Sequence, residues 1–141
     1  MRHLGTTCIA FLTLLIATFT ACLPVKTATI QFSGKYGEAD VSQIEGIVER
    51  LGFSRIEVES ISGGRRARAE HDGEMVSGFE TPFGTADAGF GVSILWKMTD
   101  GSIRVIFAER NTRFSDRGIA LKDKLVEELR TLYGNQVSIQ L

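Results

Sequence analysis

The chain has 141 residues, of which 16 are basic and 17 acidic, so its formal net charge at pH 7 is −1. This near balance provides no basic face, and we therefore predict no nucleic-acid partner. Fifteen glycines and only two prolines, among 43% hydrophobic residues, predict a globular chain with a pliable region rather than a disordered one.

The first 22 residues carry the three parts of a bacterial export signal. Arg2 supplies the positive start, an apolar run from Cys8 to Thr18 follows, and Phe19-Thr20-Ala21-Cys22 comes last. This pattern resembles the precursor of a bacterial lipoprotein, whose lipobox has an apolar residue, two small residues and then a cysteine. The resemblance implies cleavage before Cys22 and attachment of diacylglycerol, often with a third acyl chain, to its sulfur.

Three other interpretations of this segment stay open. A spanning signal anchor needs about 20 apolar residues, and Pro24 and Lys26 close the run before that length. Ordinary secretion favours an A-x-A cleavage motif, but Phe19 occupies one end of both candidate motifs. A cytosolic protein would not usually leave a cysteine behind two small residues. The lipoprotein interpretation is therefore favoured.

Cysteine use agrees with this interpretation. Cys8 leaves with the signal, so Cys22 is the only cysteine of the remaining chain, and no internal disulfide can form. Each buried methylene contributes about 0.8 kcal/mol, so two acyl chains hold a protein stably on a membrane. In the lipoproteins that this chain resembles, Asp after the cysteine favours the inner membrane. Leu23 stands there, which implies the outer membrane, with the domain facing the periplasm.

The predicted organisation is a signal peptide (1–21), a lipidated tether (22–28) and a single α+β domain (29–141). Alternation predicts strands at 29–33 and 55–60. Between them Asp40 is a candidate helix cap and Gly52 a stop, and the apolar face of this helix would comprise Val41, Ile44, Val48 and Leu51.

The middle of the chain shows weaker periodicity. Asp72-Gly73 predicts a tight turn between strands at 66–71 and 74–79, because this pair accepts positive φ angles. Residues 78–91, which contain Pro82 and several glycines, predict a long loop. Loops of this length are usually functional or mobile.

A second turn is predicted at Asp100-Gly101, between two alternating runs. A two-residue turn there sets a core face with three opposed pairs: Met98 with Ile103, Trp96 with Val105, and Ile94 with Phe107. On the other face Lys97 would oppose Arg104. Two acids of a neighbouring strand, Glu57 and Glu59, would neutralise these cations.

A second helix and a last strand complete the pattern. Ser115 is a candidate cap and Gly134 a stop, and the apolar stripe comprises Leu121, Leu125, Leu129 and Leu132. Val137, Ile139 and Leu141 alternate in the final strand. We predict an α+β fold, an antiparallel-rich sheet with two helices packed on one face, related to the ferredoxin-like sandwich but enlarged in the middle. The other face would be polar and open, with Gln31, Glu57, Glu59, Lys97, Arg104, Ser138 and Gln140.

No pattern in the sequence indicates catalysis, a cofactor or a metal site. His71 is the only histidine after Cys22, and acids at 70, 72 and 74 surround it. Alternate strand residues point to one side, so the three acids could converge only if the chain bends between them. Zinc also needs three or four N or S ligands, so a solvated hairpin tip is favoured. Because the serines lack a G-x-S-x-G elbow, we predict a protein without enzymatic activity.

Two groups of residues are candidates for partner binding. Arg65, Arg66 and Arg68 form the one local basic cluster, which would suit anionic headgroups. The alternative, which we favour, is that the acids at 70, 72 and 74 balance it across the hairpin. Three phenylalanines of the predicted loop, Phe79, Phe83 and Phe90, would form an apolar binding rim or, as favoured, fold back on the core.

The sequence thus predicts a membrane-anchored bacterial envelope lipoprotein that binds an envelope protein or polymer without catalysis. Two alternatives stay open. One is a periplasmic inhibitor or immunity-type lipoprotein, whose ordered loop at 78–91 enters another protein's cleft. The other, ranked last, is a small hydrolase with a deep pocket lined by carboxylates or by His71.

Overall fold

The computed structural model describes residues 23–141, so the signal segment and Cys22 lie outside the described residues. Within residues 23–141 no helix combines the length and the apolar character needed to span a membrane. The elements, in chain order, are β1 (Lys26–Phe32), α1 (Glu38–Arg50), β2 (Ser54–Ile56), β3 (Val58–Glu59), β4 (Arg65–Arg66), β5 (Ala69–His71), β6 (Glu74–Glu80), β7 (Phe90–Lys97), β8 (Ser102–Glu109), α2 (Asp116–Tyr133), a 3₁₀ turn (Gly134–Gln136) and β9 (Val137–Gln140).

The main sheet has the strand order β2-β6-β7-β8-β1-β9, and β5 also pairs with β6. Every neighbouring pair is antiparallel. Strands β7, β8, β1 and β9 with the two helices reproduce the ferredoxin-like order, and β2–β6 are inserted between α1 and β7. The predicted two-layer α+β sandwich, enlarged in the middle, is confirmed.

The core lies between the helices and one face of the sheet. Strands β1, β6, β7 and β8 direct alternate side chains into it, as the period of a strand requires. Its largest fully buried side chains include Phe79, Phe107, Ile30, Ile44, Leu125 and Leu129. The first strand begins at Lys26, so the stretch between Cys22 and the domain is shorter than predicted.

Helix α1 buries the predicted apolar face, since Val41, Ile44 and Val48 are buried. Its cap differs from the prediction. Gly37 is the N-cap residue, and its backbone N–H donates to the Asp40 carboxylate (2.9 Å). Asp40 is therefore the third residue of the first turn, where an acid can reach back to the cap. Gly52 follows the helix with φ +97°, a conformation that favours glycine.

Helix α2 begins and ends as predicted. The Ser115 hydroxyl accepts a hydrogen bond from the Gly118 N–H (3.0 Å), and Gly134 follows the last turn. Leu121, Leu125 and Leu129 are buried, but Leu132 is 53% exposed, so its predicted place in the core is wrong. The last turn contacts the sheet through a different side chain, because the Tyr133 ring lies 5.2 Å from that of Phe32.

The Asp72-Gly73 turn is confirmed, and His71 pairs with Glu74 across it. Asp72 (φ +48°) and Gly73 (φ +76°) both have the positive φ that this tight turn requires. The predicted single strand at 55–60 is wrong, however. Strand β2 ends at Ile56, and β3 pairs with β4 in a separate small sheet.

The β7–β8 hairpin has the predicted faces but a different register, and the predicted place of Met98 on the core face is wrong, because Met98 lies in the turn and is 44% exposed. Trp96 lies opposite Ile103 and Ile94 opposite Val105, a shift of two residues. The chain turns through four residues, 98–101, and the Gly101 N–H donates to the Lys97 carbonyl (2.8 Å). Gly101 has φ +72°, and its carbonyl accepts from the Tyr36 N–H (2.8 Å), so packing against another segment fixes this wider turn.

The shifted register changes the charges on the outer face of the sheet. Arg104 lies opposite Leu95 instead of Lys97, and it donates to the Glu74 carboxylate (2.7 Å). The predicted neutralisation by Glu57 and Glu59 is therefore wrong. The outer face is also narrower than predicted, because Val58 of the small sheet packs against β6 at Gly78. Five predicted residues do lie on it: Gln31, Lys97, Arg104, Ser138 and Gln140.

Candidate binding surface at the Lys26 end of the sheet

The sheet has two ends, which we name by the first and last residues of β1. At the Lys26 end, Lys26 and Phe90 lie on either side of Glu109 in adjacent strand pairs. Residues 81–89 immediately precede Phe90, and they therefore lie at the Lys26 end. At the Phe32 end lie the 98–101 turn and the tip of the β5–β6 hairpin.

Residues 81–89, which we call the tip loop, connect β6 to β7. Its base is closed by the Thr81 N–H, which donates to the Phe90 carbonyl (3.0 Å). A turn follows in which the Pro82 carbonyl accepts from the N–H (3.3 Å) and the hydroxyl (2.8 Å) of Thr85. Gly84 has φ +84°, the value that a type II turn requires at its third residue. The tip loop therefore has a defined backbone conformation.

Contacts with neighbouring segments fasten the tip loop on both sides. Arg117, in the first turn of α2, donates two hydrogen bonds to the Asp87 carboxylate, one of them from Nη2 at 2.9 Å. The Arg117 guanidinium keeps the pKa of Asp87 below its usual value. The Gly89 carbonyl accepts from the Arg110 N–H (3.0 Å), and the Thr81 hydroxyl donates to the Asp87 carbonyl.

The three predicted phenylalanines occupy different environments. Phe79 and Phe90 are buried in the core, because β6 runs to Glu80 and β7 begins at Phe90. The loop is thus shorter than the predicted 78–91. Phe83 is 99% exposed, so the favoured prediction that it folds back on the core is wrong. It occupies the second position of the tight turn, where the backbone reverses and no neighbouring element covers the side chain.

The structure does not bring the three predicted arginines together. Arg65 and Arg66 are exposed on β4, whereas the Arg68 side chain is 25% exposed and contacts α1. Its guanidinium donates to the carboxylates of Glu38 (2.8 Å) and Glu45 (2.8 Å). The favoured prediction that acids at 70, 72 and 74 balance this arginine is therefore wrong.

The contacts of Arg68 belong to a buried group that we call the Glu45 cluster: Glu45, Arg55, Arg68 and Ser77. Glu45 is only 4% exposed. Its carboxylate accepts two bonds from Arg68 (both 2.8 Å), one from Arg55 (3.0 Å) and one from the Ser77 hydroxyl (2.7 Å). Burial opposes ionisation, but these hydrogen bonds outweigh it and lower the pKa of Glu45 to about 2.

Sequence reasoning missed the Glu45 cluster, although α1 carries a signal for it. Glu38, Ser42, Glu45 and Glu49 follow one another at intervals of four, three and four residues, which places them on one face of the helix. All four contact Arg68 or Arg55. The cluster fastens the inserted segment, through β2 and the β4–β5 connection, to α1. Glu49 and Glu38 complete the ion pairs of Arg55 and Arg68, so each charge of the cluster has a partner and we assign the cluster a structural role.

A second buried acid, Glu109, supports the start of α2 beside the tip loop. Its carboxylate accepts from the Ser115 N–H (2.9 Å), at the helix end where a negative charge is favourable. A Cβ at Gly118 would lie 2.0 Å from the Glu109 Oε2, so a larger residue there would displace the Glu109 carboxylate. This contact fixes the turn that carries Arg117, and with it the attachment of the tip loop.

The described residues contain no group of three or more His, Cys, Asp or Glu side chains placed to hold a metal ion. His71 lies at the exposed hairpin tip, with Nε2 3.4 Å from Asp72 Oδ2. A groove of about 500 Å³ between α2 and β9 has an apolar floor of Val126, Ile139 and Leu141 and a rim with charges of both signs. No protein-family model and no curated protein matches this chain.

Proposed function

We propose that this protein is a bacterial envelope lipoprotein, anchored through an acylated Cys22 and carrying a non-enzymatic binding domain. The observation that carries the proposal is the order of basic, apolar and small residues that ends at Cys22, with the first strand following at Lys26. Four residues span at most about 14 Å, so the domain is held close to the membrane. Because Leu23 follows the cysteine, we propose the periplasmic face of the outer membrane.

The tip loop is proposed to be one contact surface of this domain. Phe83 supports this role, since a fully exposed aromatic side chain offers a large apolar surface to a partner. The hydrogen bonds of Thr81, Thr85 and Asp87 fix the loop before a partner arrives. A loop that is already ordered loses little conformational entropy on binding, which favours affinity. An envelope protein or polymer remains the proposed class of partner, and the open polar face of the sheet, with Gln31, Lys97 and Arg104, is the surface proposed for it.

A second candidate function is a periplasmic inhibitor or immunity-type lipoprotein. It requires an ordered loop that presents a side chain to another protein's cleft, and the tied tip loop with Phe83 at its turn supports this requirement. The two candidates share the anchor and differ in the partner.

The anchor is tested on the full chain expressed in a bacterial host. We expect the mature mass to correspond to loss of residues 1–21 and addition of acyl chains, and the protein to enter the detergent phase. Cys22→Ser should stay unacylated and enter the aqueous phase. Cys8→Ser is the matched control, because Cys8 would leave with the signal. If Cys22→Ser were processed and partitioned like the wild type, the proposal would be wrong.

A further inference from the structure

We infer that Phe83 inserts into the lipid bilayer that holds the protein, so that the tip loop makes a second, non-covalent membrane contact. This inference rests on the proposed acylation of Cys22. It goes beyond the anchor because it assigns an orientation to the domain: the Lys26 end of the sheet faces the lipid and the Phe32 end faces away.

The tip loop lies close to the proposed anchor. Lys26 and Phe90 are separated by one strand, β8, and adjacent strands lie about 4.8 Å apart, so the base of the tip loop is about 10 Å from the start of β1. Cys22 precedes Lys26 by four residues, which span at most about 14 Å. An acylated Cys22 therefore keeps the tip loop within reach of the headgroup region.

The Lys26 end of the sheet exposes large apolar side chains. Three large apolar side chains, Leu23, Phe83 and Ile119, are exposed there. Ile119 lies in the first turn of α2, and helical side chains lean towards the N-terminus, hence towards the Lys26 end. Phe, Leu and Ile are among the side chains that transfer favourably into the bilayer. The charges at this end are of both signs: Arg113 and Asp116 are exposed, Lys26 and Arg110 are partly exposed, and Arg117 pairs with Asp87. Insertion itself is made by the apolar ring of Phe83, so it should be insensitive to salt.

The tip loop already has the conformation in which Phe83 could insert. The Asp87–Arg117 pair and the base at Thr81 hold Phe83 outwards, so the loop needs no rearrangement to insert. A folded protein that bound Phe83 would have to enter the narrow space between this end and the bilayer. The bilayer is therefore favoured over a protein cleft as the partner of Phe83.

The test uses the full acylated protein in vesicles of phosphatidylethanolamine and phosphatidylglycerol, with vesicle flotation as the measure of anchoring. Phe83→Trp places a fluorophore on the tip loop, and Met98→Trp places a matched one on the exposed turn at the Phe32 end. The wild type, whose only tryptophan is Trp96, gives the emission to subtract. Lipids brominated on the acyl chains quench only a fluorophore that reaches them.

We expect the added emission of Phe83→Trp to shift to the blue and to fall roughly twofold or more with brominated lipid, equally at low and high salt. The added emission of Met98→Trp should not change. If both variants floated and Phe83→Trp behaved like Met98→Trp, the membrane contact would be wrong and the anchor would stand. A Phe83→Trp signal that responded to an added envelope protein but not to brominated lipid would also overturn the contact. A wild type that did not float would overturn both proposals.

Discussion

The two ends of the sheet differ in the cover that they give to the aromatic side chains beside their turns. At the Phe32 end, the rings of Phe32, Tyr36 and Tyr133 pack edge to face with centroids 5.2 to 5.8 Å apart. The Trp96 indole N–H donates to the Tyr36 carbonyl (3.1 Å). At the Lys26 end, Phe90 and Phe114 pack against Phe107, but Phe83 of the tip loop is exposed. The exposure of Phe83 is therefore a property of the tip loop and does not reflect a general lack of apolar side chains that could cover it.

The turns at the two ends differ in the same sense. The 98–101 turn is wedged against the backbone of another segment, since an ideal Cβ at Gly101 would lie 3.0 Å from the Tyr36 nitrogen. At Gly84 of the tip loop, an ideal Cβ would meet nothing within 4 Å. The 98–101 turn is thus held by packing, and the tip loop is held by hydrogen bonds and one ion pair.

Removing one phenylalanine ring at each end should give the largest difference in stability and therefore tests this comparison first. We expect Phe32→Ala to lower the free energy of unfolding by about 3–5 kcal/mol, because it leaves a cavity among packed rings. Phe83→Ala should change it by less than about 0.5 kcal/mol, since no packing is lost. Urea unfolding of both variants measures the difference, and equal losses would contradict the described exposure of Phe83.

The Glu45 cluster lies between the two ends, and the loss of its central carboxylate should have the second-largest effect on stability. We expect Glu45→Gln to lower the free energy of unfolding by about 3 kcal/mol at pH 7, because two guanidinium groups lose their buried partner. The pKa of Glu45 is about 2 in the folded protein and near 4.5 without these contacts. Its contribution is therefore complete above pH 4.5 and lost as the pH falls towards 2.

Unfolding of the wild type and of Glu45→Gln should accordingly converge between pH 4.5 and pH 2. Glu49→Gln is the matched control, because Glu49 lies on the same helix face, is half exposed and contacts only Arg55. It should cost less than about 0.5 kcal/mol. A difference between the wild type and Glu45→Gln that stayed constant down to pH 2 would show that the carboxylate charge does not stabilise the cluster.

The smallest expected effect is the difference in stability between glycine substitutions in the two turns. Gly84→Ala places a side chain at φ +84° in open space, and we expect a loss of about 1 kcal/mol from backbone strain alone. Gly101→Ala adds contacts at 3.0 and 3.1 Å with the Tyr36 backbone, so the loss should be about 2–3 kcal/mol. Thermal unfolding of the two variants gives the ranking, and the reverse order would mean that the 98–101 turn is not wedged.

Short-range patterns predicted the elements of the fold well. The apolar face of α1, the Asp72-Gly73 turn and the faces of β7 and β8 depend on residues close together in the chain, and all are confirmed. The register of the β7–β8 hairpin was wrong because it depends on contact between Gly101 and Tyr36, 65 residues apart. The sequence predicts loop at the end of β6 and the start of β7, which is wrong because Gly78 and Gly91 lie inside buried strands.

The binding candidates show the same limit. Arg68 stands beside acids in sequence, but its partners Glu38 and Glu45 are 30 and 23 residues away on α1. Only the topology of the inserted segment brings them together. Phe79, Phe83 and Phe90 are equally apolar, and composition could not separate them. Phe79 lies in β6 and Phe90 begins β7, so both are buried, whereas Phe83 lies in the tip loop between these strands and is exposed.

The strands at the borders of the main sheet have a further consequence. On one border β2 and β5, three residues each, share the side of β6, and on the other β9 has four residues. Such short borders present few free backbone groups to a neighbouring molecule. A chain crowded with its copies on a two-dimensional surface would thereby resist strand-to-strand aggregation.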